Sequence, residues 1–258
     1  MELKTVIITQ ARTGSSRLPG KVLLKACNKT FLQIHAERLQ KVRNADEIVI
    51  ATTLNDEDVK IVEEAAKLNI KSTRGSEQDV LSRFYETAKY YAADIVVRVT
   101  SDCPFADPSL ISDMIDYFKS HSYDYVSNTF EYTYPDGLDV EVMSFVALEK
   151  AFKEALLQSD REHVTPFIRK KSDVENGNIF KAFSYKNTVP LTEISRLTLD
   201  EPADLEVLTI LVEILGTERP WQRYHEYLIS NPILSKLNNF IPSNEGYDKS
   251  LKQDETHY

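Results

Sequence analysis

A compact apolar run, Val6-Ile7-Ile8, opens onto the loop Gln10-Ala11-Arg12-Thr13-Gly14-Ser15-Ser16-Arg17-Leu18-Pro19-Gly20-Lys21, which sets two arginines and a lysine among glycines and serines. A buried strand ending in such a loop is how an α/β protein holds a polyphosphate. Backbone N–H groups and small hydroxyls wrap the anion while Arg12, Arg17 and Lys21 neutralise it. The segment is not a Walker A loop, because Lys21 is followed by Val22 rather than by Ser or Thr entering a helix, and it is not the Rossmann glycine fingerprint. The same twelve residues also suit an ordinary solvated basic loop.

The residues that follow alternate between strand and helix. Leu3 to Ile8, Glu47 to Ala51 and Ile95 to Val99 are short β-rich runs suited to buried parallel strands. Between them Val59, Val62 and Ala66 fall on one helical face, and Ile111, Met114, Ile115 and Phe118 form an i, i+3, i+4, i+7 stripe. This succession predicts a doubly wound, mostly parallel sheet whose ligand crevice lies beyond the strand C-termini. The basic loop and Ser101-Asp102-Cys103-Pro104 both fall at that edge. After about residue 121 the pattern changes. Tyr123 to Ser127 reads as a strand, Tyr134-Pro135-Asp136-Gly137 as a turn and Leu138 to Met143 as a further strand. Phe145 to Leu157 and Ala203 to Leu215 read as helices. The division expected is a main domain over 1–218, with an acceptor-side subregion near 121–195, and a helical appendage over 219–258 that ends as a loosely ordered polar tail.

A chain of 258 residues closes a core without staples, and its two cysteines, Cys27 and Cys103, form no disulfide framework or metal spacing. They read as reduced thiols in a cytoplasmic protein. The net charge of −9 argues against a general nucleic-acid binder, and no run of 18 apolar residues predicts a membrane span.

Asp102 ends a predicted strand, where a carboxylate can hold Mg²⁺ against phosphate oxygens; capping the turn before Pro104 and Asp107 is its other reading. Asp200 follows the alternating stretch Ser195-Arg196-Leu197-Thr198-Leu199, and it too could cap the next helix. Asp136, Asp139 and Glu141 suit acceptor hydroxyls, a metal environment or a solvated rim. Arg161 suits bidentate recognition of an acidic acceptor; His163 could orient a hydroxyl or serve as a neutral core donor. Arg83, four residues after Asp79, reads as an i,i+4 helix ion pair.

Six segments together resemble the cytidylyltransferase superfamily that activates sugars with CTP, especially the branch named for a spore coat polysaccharide biosynthesis protein. They are Ala11 to Lys21, Arg74-Gly75-Ser76-Glu77-Gln78-Asp79-Val80-Leu81, Ser101 to Pro104, Tyr134 to Val142, Arg161-Glu162-His163-Val164-Thr165-Pro166 and Leu199-Asp200-Glu201-Pro202-Ala203-Asp204. The resemblance extends into the tail, Asn244 to Leu251.

The resemblance implies a Rossmann-like three-layer α/β/α nucleotidyltransferase fold, with a mostly parallel mixed sheet and an inserted β-rich subregion. It implies transfer of CMP from CTP to a sugar-like or phosphorylated acceptor, with Mg²⁺ as cofactor and a homodimer as one candidate assembly. Ala11, Arg12, Gly14, Ser15, Arg17 and Lys21 match the nucleoside triphosphate loop, with Arg12, Arg17 and Lys21 also stabilising charge in the transfer. Arg74, Gly75 and Ser76 match the wall enclosing the nucleotide, and Asp102 and Asp200 the metal-associated acids. Asp136, Asp139, Glu141, Arg161 and His163 match the acceptor side. Relatives commonly carry glycine where this chain has Ser101.

Overall fold

In the computed structural model, residues 3–242 and 245–255 are described; Asn244 of the tail segment lies outside them. The strands are β1 (Thr5–Gln10), β2 (Lys25–Ala26), β3 (Lys29–Thr30), β4 (Glu47–Thr53), β5 (Lys71–Gly75), β6 (Ile95–Thr100), β7 (Tyr125–Ser127), β8 (Glu141–Ser144) and β9 (Ala182–Ser184). The helices are α1 (Phe31–Leu39), α2 (Val59–Lys67), α3 (Val80–Tyr90), α4 (Pro108–Ser120), α5 (Phe145–Glu154), α6 (Gln158–His163), α7 (Pro166–Lys170), α8 (Pro202–Leu215), α9 (Trp221–Ser230), α10 (Pro232–Ser235) and α11 (Glu245–Glu255).

Seven strands form one sheet in the order β5-β4-β1-β6-β8-β7-β9, and β2 and β3 form a separate hairpin. The first four are parallel neighbours; β8 runs antiparallel to both β6 and β7, and β9 returns parallel to β7. The β-rich region after residue 121 therefore extends the same sheet.

Alternation along the strands makes two cores. Val6, Ile8, Val49, Val96 and Tyr125 face α3, α5 and α7, whereas Ile7, Val97, Val99 and Val142 face α4 and Trp221. The predicted stripe Ile111, Met114, Ile115 and Phe118 is buried as one face of α4, each side chain contributing about 1.5–3 kcal/mol. The same period misplaced the face of α2. Ile61 and Ala65 point inward while Val59 and Ala66 are exposed, because Asp58, in the turn before the helix, is buried and sets its rotation.

The strand expected from Leu138 begins only at Glu141. The Asn128 amide stands in for a neighbouring strand, donating to the Leu138 carbonyl at 2.8 Å and accepting from Val140 N–H at 2.9 Å. Gly137 has φ +100°, and a Cβ there would lie 2.6 Å from the Leu197 carbonyl carbon, so the turn's close approach to the 195–199 segment requires glycine.

Of the tail, expected as a packed helical appendage with a loosely ordered end, only the end differs. α9 buries Trp221, Tyr224 and Leu228, with Tyr224 stacked on Phe105 at 4.0 Å between ring centroids. Residues 245–255 form a helix packed on α6 instead of a loose end: Asp254 accepts from the Ser159 N–H at 3.2 Å, and Ser250 bonds to Glu162 at 2.9 Å.

Candidate active site

The loop after β1 is closed by its own backbone, with Ser15 N–H and Gly20 N–H both donating to the Thr13 carbonyl at 2.9 Å. Thr13 is in turn fixed to Asp58, through its N–H and its hydroxyl, each at 2.7 Å, and Thr53 donates to the same carboxylate. Burial would raise the Asp58 carboxyl, but these hydrogen bonds hold it below its ordinary value. Asp58 is thus the anchor of the basic loop; no local motif signals it.

At the loop's end, Lys21 Nζ bridges two carboxylates, Asp102 at 2.7 Å and Asp200 at 2.6 Å. The competing capping readings are resolved by other residues. Asp107 caps α4, accepting from Ser109 and Leu110 N–H groups, and Glu201 with Asp204 forms a capping box on α8. Neither Asp102 nor Asp200 is consumed as a cap, and each is left to face Lys21. Asp200 is reached by an extended segment rather than a sheet strand, its only ladder contact among the described residues being the Asp136–Arg196 bridge. The two acid-bearing turns are tied directly, Leu199 N–H donating to the Asp102 carbonyl at 2.7 Å.

Burial opposes both charges here, and pairing overcomes it. Burial alone would lower Lys21, yet Asp102 and Asp200 raise it above the usual lysine value. Burial would likewise raise Asp102, but Lys21 and the Thr100 hydroxyl hold it down at about 2. Behind them His35 is wholly buried and lowered to about 4, so it is neutral; Nδ1 donates to the Cys103 carbonyl at 2.9 Å while Nε2 accepts from Thr9. That bond fixes the turn carrying Asp102. Ser101 spends its hydroxyl on the Gln10 carbonyl at 2.6 Å and joins the two strand ends.

Arg17 is ringed by Glu245 at 3.1 Å, Asp200 at 3.3 Å and Glu201 at 3.4 Å, and Arg12 meets Glu77 at 3.5 Å. These cations and the two aspartates open into a cleft of about 860 Å³, also lined by Ala11, Gly14, Ser15 and Ser101. Among the described residues there is no cluster of three or more His, Cys, Asp or Glu able to hold a metal. The pair Asp102 and Asp200 nevertheless fits Mg²⁺, a hard cation that commonly takes one or two carboxylates and completes its shell with water and substrate phosphates.

The other half of the cleft contains Asp136, Asp139, Glu141 and His163. Glu141 is committed: it pairs with Arg98, its register partner on β6, and accepts from the Tyr125 hydroxyl. Asp136 pairs with Arg196 at 2.9 Å. Burial, reinforced by Asp136 and Glu141, lifts the Asp139 carboxyl to about 7, so near neutrality it can either donate to or accept from a hydroxyl. His163 is lowered by burial and bonds to Ser250 on α11 at 3.0 Å. The tail helix supplies this wall, with Tyr247 and Ser250 lining the cleft.

Four expected site residues lie elsewhere. Arg74 spends its guanidinium on the carbonyls of Thr53 and Asn55, each at 2.9 Å, and Ser76 caps the Asp79 N–H at 3.0 Å; neither they nor Gly75 line the cleft. Arg161 turns away from this half of the cleft, donating twice to Asp79 and to the Phe152 and Ala155 carbonyls at 2.8 and 3.5 Å. This also undoes the expected Asp79–Arg83 pair, since Asp79 is the N-cap of α3 and the partner of Arg161. Arg161→Ala is therefore expected to cost about 2 kcal/mol of stability through loss of charged hydrogen bonds. CTP affinity should stay within about threefold, under half the free-energy change of a tenfold loss. Denaturant unfolding and calorimetry measure the two; a folded variant that loses only acceptor use would return Arg161 to the site.

The profile of the Cytidylyltransferase family matches residues 6–211. The uncharacterized protein MJ1063 of Methanocaldococcus jannaschii is 39% identical over 243 residues, 93% of this chain and 96% of that protein. The spore coat polysaccharide biosynthesis protein SpsF of Bacillus subtilis is 31% identical over 228 residues, 83% of this chain and 88% of its own length. Among solved structures, a cytidylyltransferase from Leptospira borgpetersenii superposes with a TM-score of 0.85 at 33% identity, covering 92% of this chain and 99% of the other.

Proposed function

Because the chain belongs to the cytidylyltransferase family, we propose that it transfers CMP from CTP to a sugar-like or phosphorylated acceptor, releasing pyrophosphate, in surface-polysaccharide construction. The observation that carries this reading is the Lys21 ammonium seated between Asp102 and Asp200 at the foot of an arginine-bearing loop. An acceptor oxygen attacks the α-phosphorus in line, a new P–O bond forms, and the bond to pyrophosphate breaks. Arg12, Arg17 and Lys21 bind the triphosphate and offset the charge that collects on the leaving oxygens. Asp102 and Asp200 would hold Mg²⁺, which when bound supplies further neutralisation of phosphate charge. Asp139, poised near neutrality, takes up the proton of the acceptor hydroxyl, while His163 and Asp136 orient that hydroxyl.

No helix among the described residues is long and apolar enough to cross a membrane. The test is a mass-resolved screen of CTP, UTP, ATP and GTP against keto-sugars, sugar phosphates and polyol phosphates with Mg²⁺. A CMP-linked product formed together with pyrophosphate, from CTP in preference to the others, is the expected result. Saturable nucleotide binding without turnover against any acceptor would replace this reading with that of a nucleotide-binding scaffold.

A further inference from the structure

Arg83 on α3 is a buried cation with no role in the constellation above. It is 3% exposed, yet its side chain reaches the cleft beside Ala11, Arg12, Gly14 and Val80. Nη1 donates to the Ser76 carbonyl at 2.9 Å, Nε is buried without a hydrogen-bond partner, and among the described residues no carboxylate forms an ion pair with it. The other deeply buried arginines are provided for: Arg38 has Asp107, and Arg196 has Asp136 and Asp204. An unpaired guanidinium in such a place carries an uncompensated desolvation penalty. Burial, followed by the like charge of Arg12, lowers Arg83 to about 10. An anion entering the cleft between the two arginines relieves both effects.

The neighbouring backbone is arranged around this side chain. A Cβ on Gly75 would sit 3.2 Å from Arg83 Cγ, so glycine leaves the slot through which the arginine stem passes. The Ser76 carbonyl then holds the end of the guanidinium. Arg74-Gly75-Ser76, whose own side chains are turned away from the cleft, thereby acts on the site through Arg83.

We propose that Arg83 is a further phosphate-binding residue, joining Arg12 on the polyphosphate of the bound nucleotide; the proposal rests on the nucleotide reading above. Arg83→Met keeps the stem in the Gly75 slot and removes the charge; Gly75→Ala keeps the charge and crowds the stem. Calorimetry on the full chain with CTP, inorganic tripolyphosphate and cytidine separates phosphate from base. Arg83→Met is expected to weaken CTP and tripolyphosphate by at least about tenfold each, with cytidine affinity unchanged and the denaturant midpoint retained. Gly75→Ala is expected to weaken CTP and tripolyphosphate in the same direction, and it decides the matter alone if Arg83→Met does not fold. Unchanged CTP affinity in the folded variants, or a loss shared equally by cytidine, overturns the assignment. If the unmutated chain binds neither CTP nor tripolyphosphate, the nucleotide reading falls and Arg83 with it; normal binding that survives both variants removes Arg83 alone.

Discussion

Lys21→Met is expected to lower CMP transfer by at least about 100-fold, or ~2.7 kcal/mol of barrier, while leaving a folded protein. Lys21 holds Asp102 and Asp200 together as one unit, and in the proposed reaction it also presents a cation to the triphosphate. Without it the two carboxylates face each other with no cation between them. The consequence is also visible in stability. Asp102 titrates at about 2 in the folded chain, below its ordinary carboxylate value, so its pairing stabilises the protein above about pH 4 and the benefit is lost as pH falls through about 2. In Lys21→Met the ammonium no longer opposes burial, and the carboxyl moves up from about 2. The stability difference between the two proteins should therefore be largest near neutrality and shrink as pH drops from about 4 towards 2. Initial rates and denaturant midpoints across that range test both parts. A variant with near-normal turnover, or a stability difference independent of pH, would remove Lys21 from the centre of the site.

What could be read from the chain and what could not divide along physical lines. β1, β4 and β6 were legible because strands buried on both faces are continuous apolar runs, and the basic loop because its glycines and cations are contiguous. Asp102 and Asp200, 98 positions apart, were legible as acids at predicted strand ends, with capping left open for each by local chemistry, and the family motifs then joined them. Arg161 shows the limit of a linear motif. It lies beside Glu162 and His163 in sequence, but side-chain direction on a short helix is set by what intercepts it, here Asp79, 82 residues away. Arg83 was misread for the complementary reason: the i,i+4 spacing was present, but the acid was already taken. α11, though reached by the family resemblance, left no helical periodicity because its mean hydropathy is low and its attachment is polar, through Ser250, Asp254 and Glu245 rather than an apolar stripe. Periodicity detects burial of carbon, and a helix held by hydrogen bonds at a cleft mouth is invisible to it.

The largest effect on stability is expected at Arg196, which lines the cleft and is tied into the structure behind it. Its side chain is 6% exposed and pairs with Asp136 at 2.9 Å and with the wholly buried Asp204 at 2.9 Å, with Asp200 further off at 3.6 Å. Asp204 also accepts from the backbone N–H groups of Asp200 and Glu201, each at 2.9 Å, and from the Asn238 amide. Arg196 therefore joins the Asp136 turn, the Asp200 turn and the start of α8 through one guanidinium. Arg196→Met strips the cation from buried carboxylates and should cost about 3–5 kcal/mol, read as a lower denaturant midpoint at unchanged slope. A second substitution separates charge from packing. Asp204→Asn in the Arg196→Met background removes the stranded charge while keeping an oxygen for the helix cap, and it should return at least about 1 kcal/mol of the loss. If the double variant is less stable by the sum of the two single losses, the cost of Arg196→Met comes from lost packing and the electrostatic account of this junction is wrong. If recovery is seen but turnover stays low, Arg196 acts on catalysis by holding Asp200 and Asp136 at their places on the cleft wall.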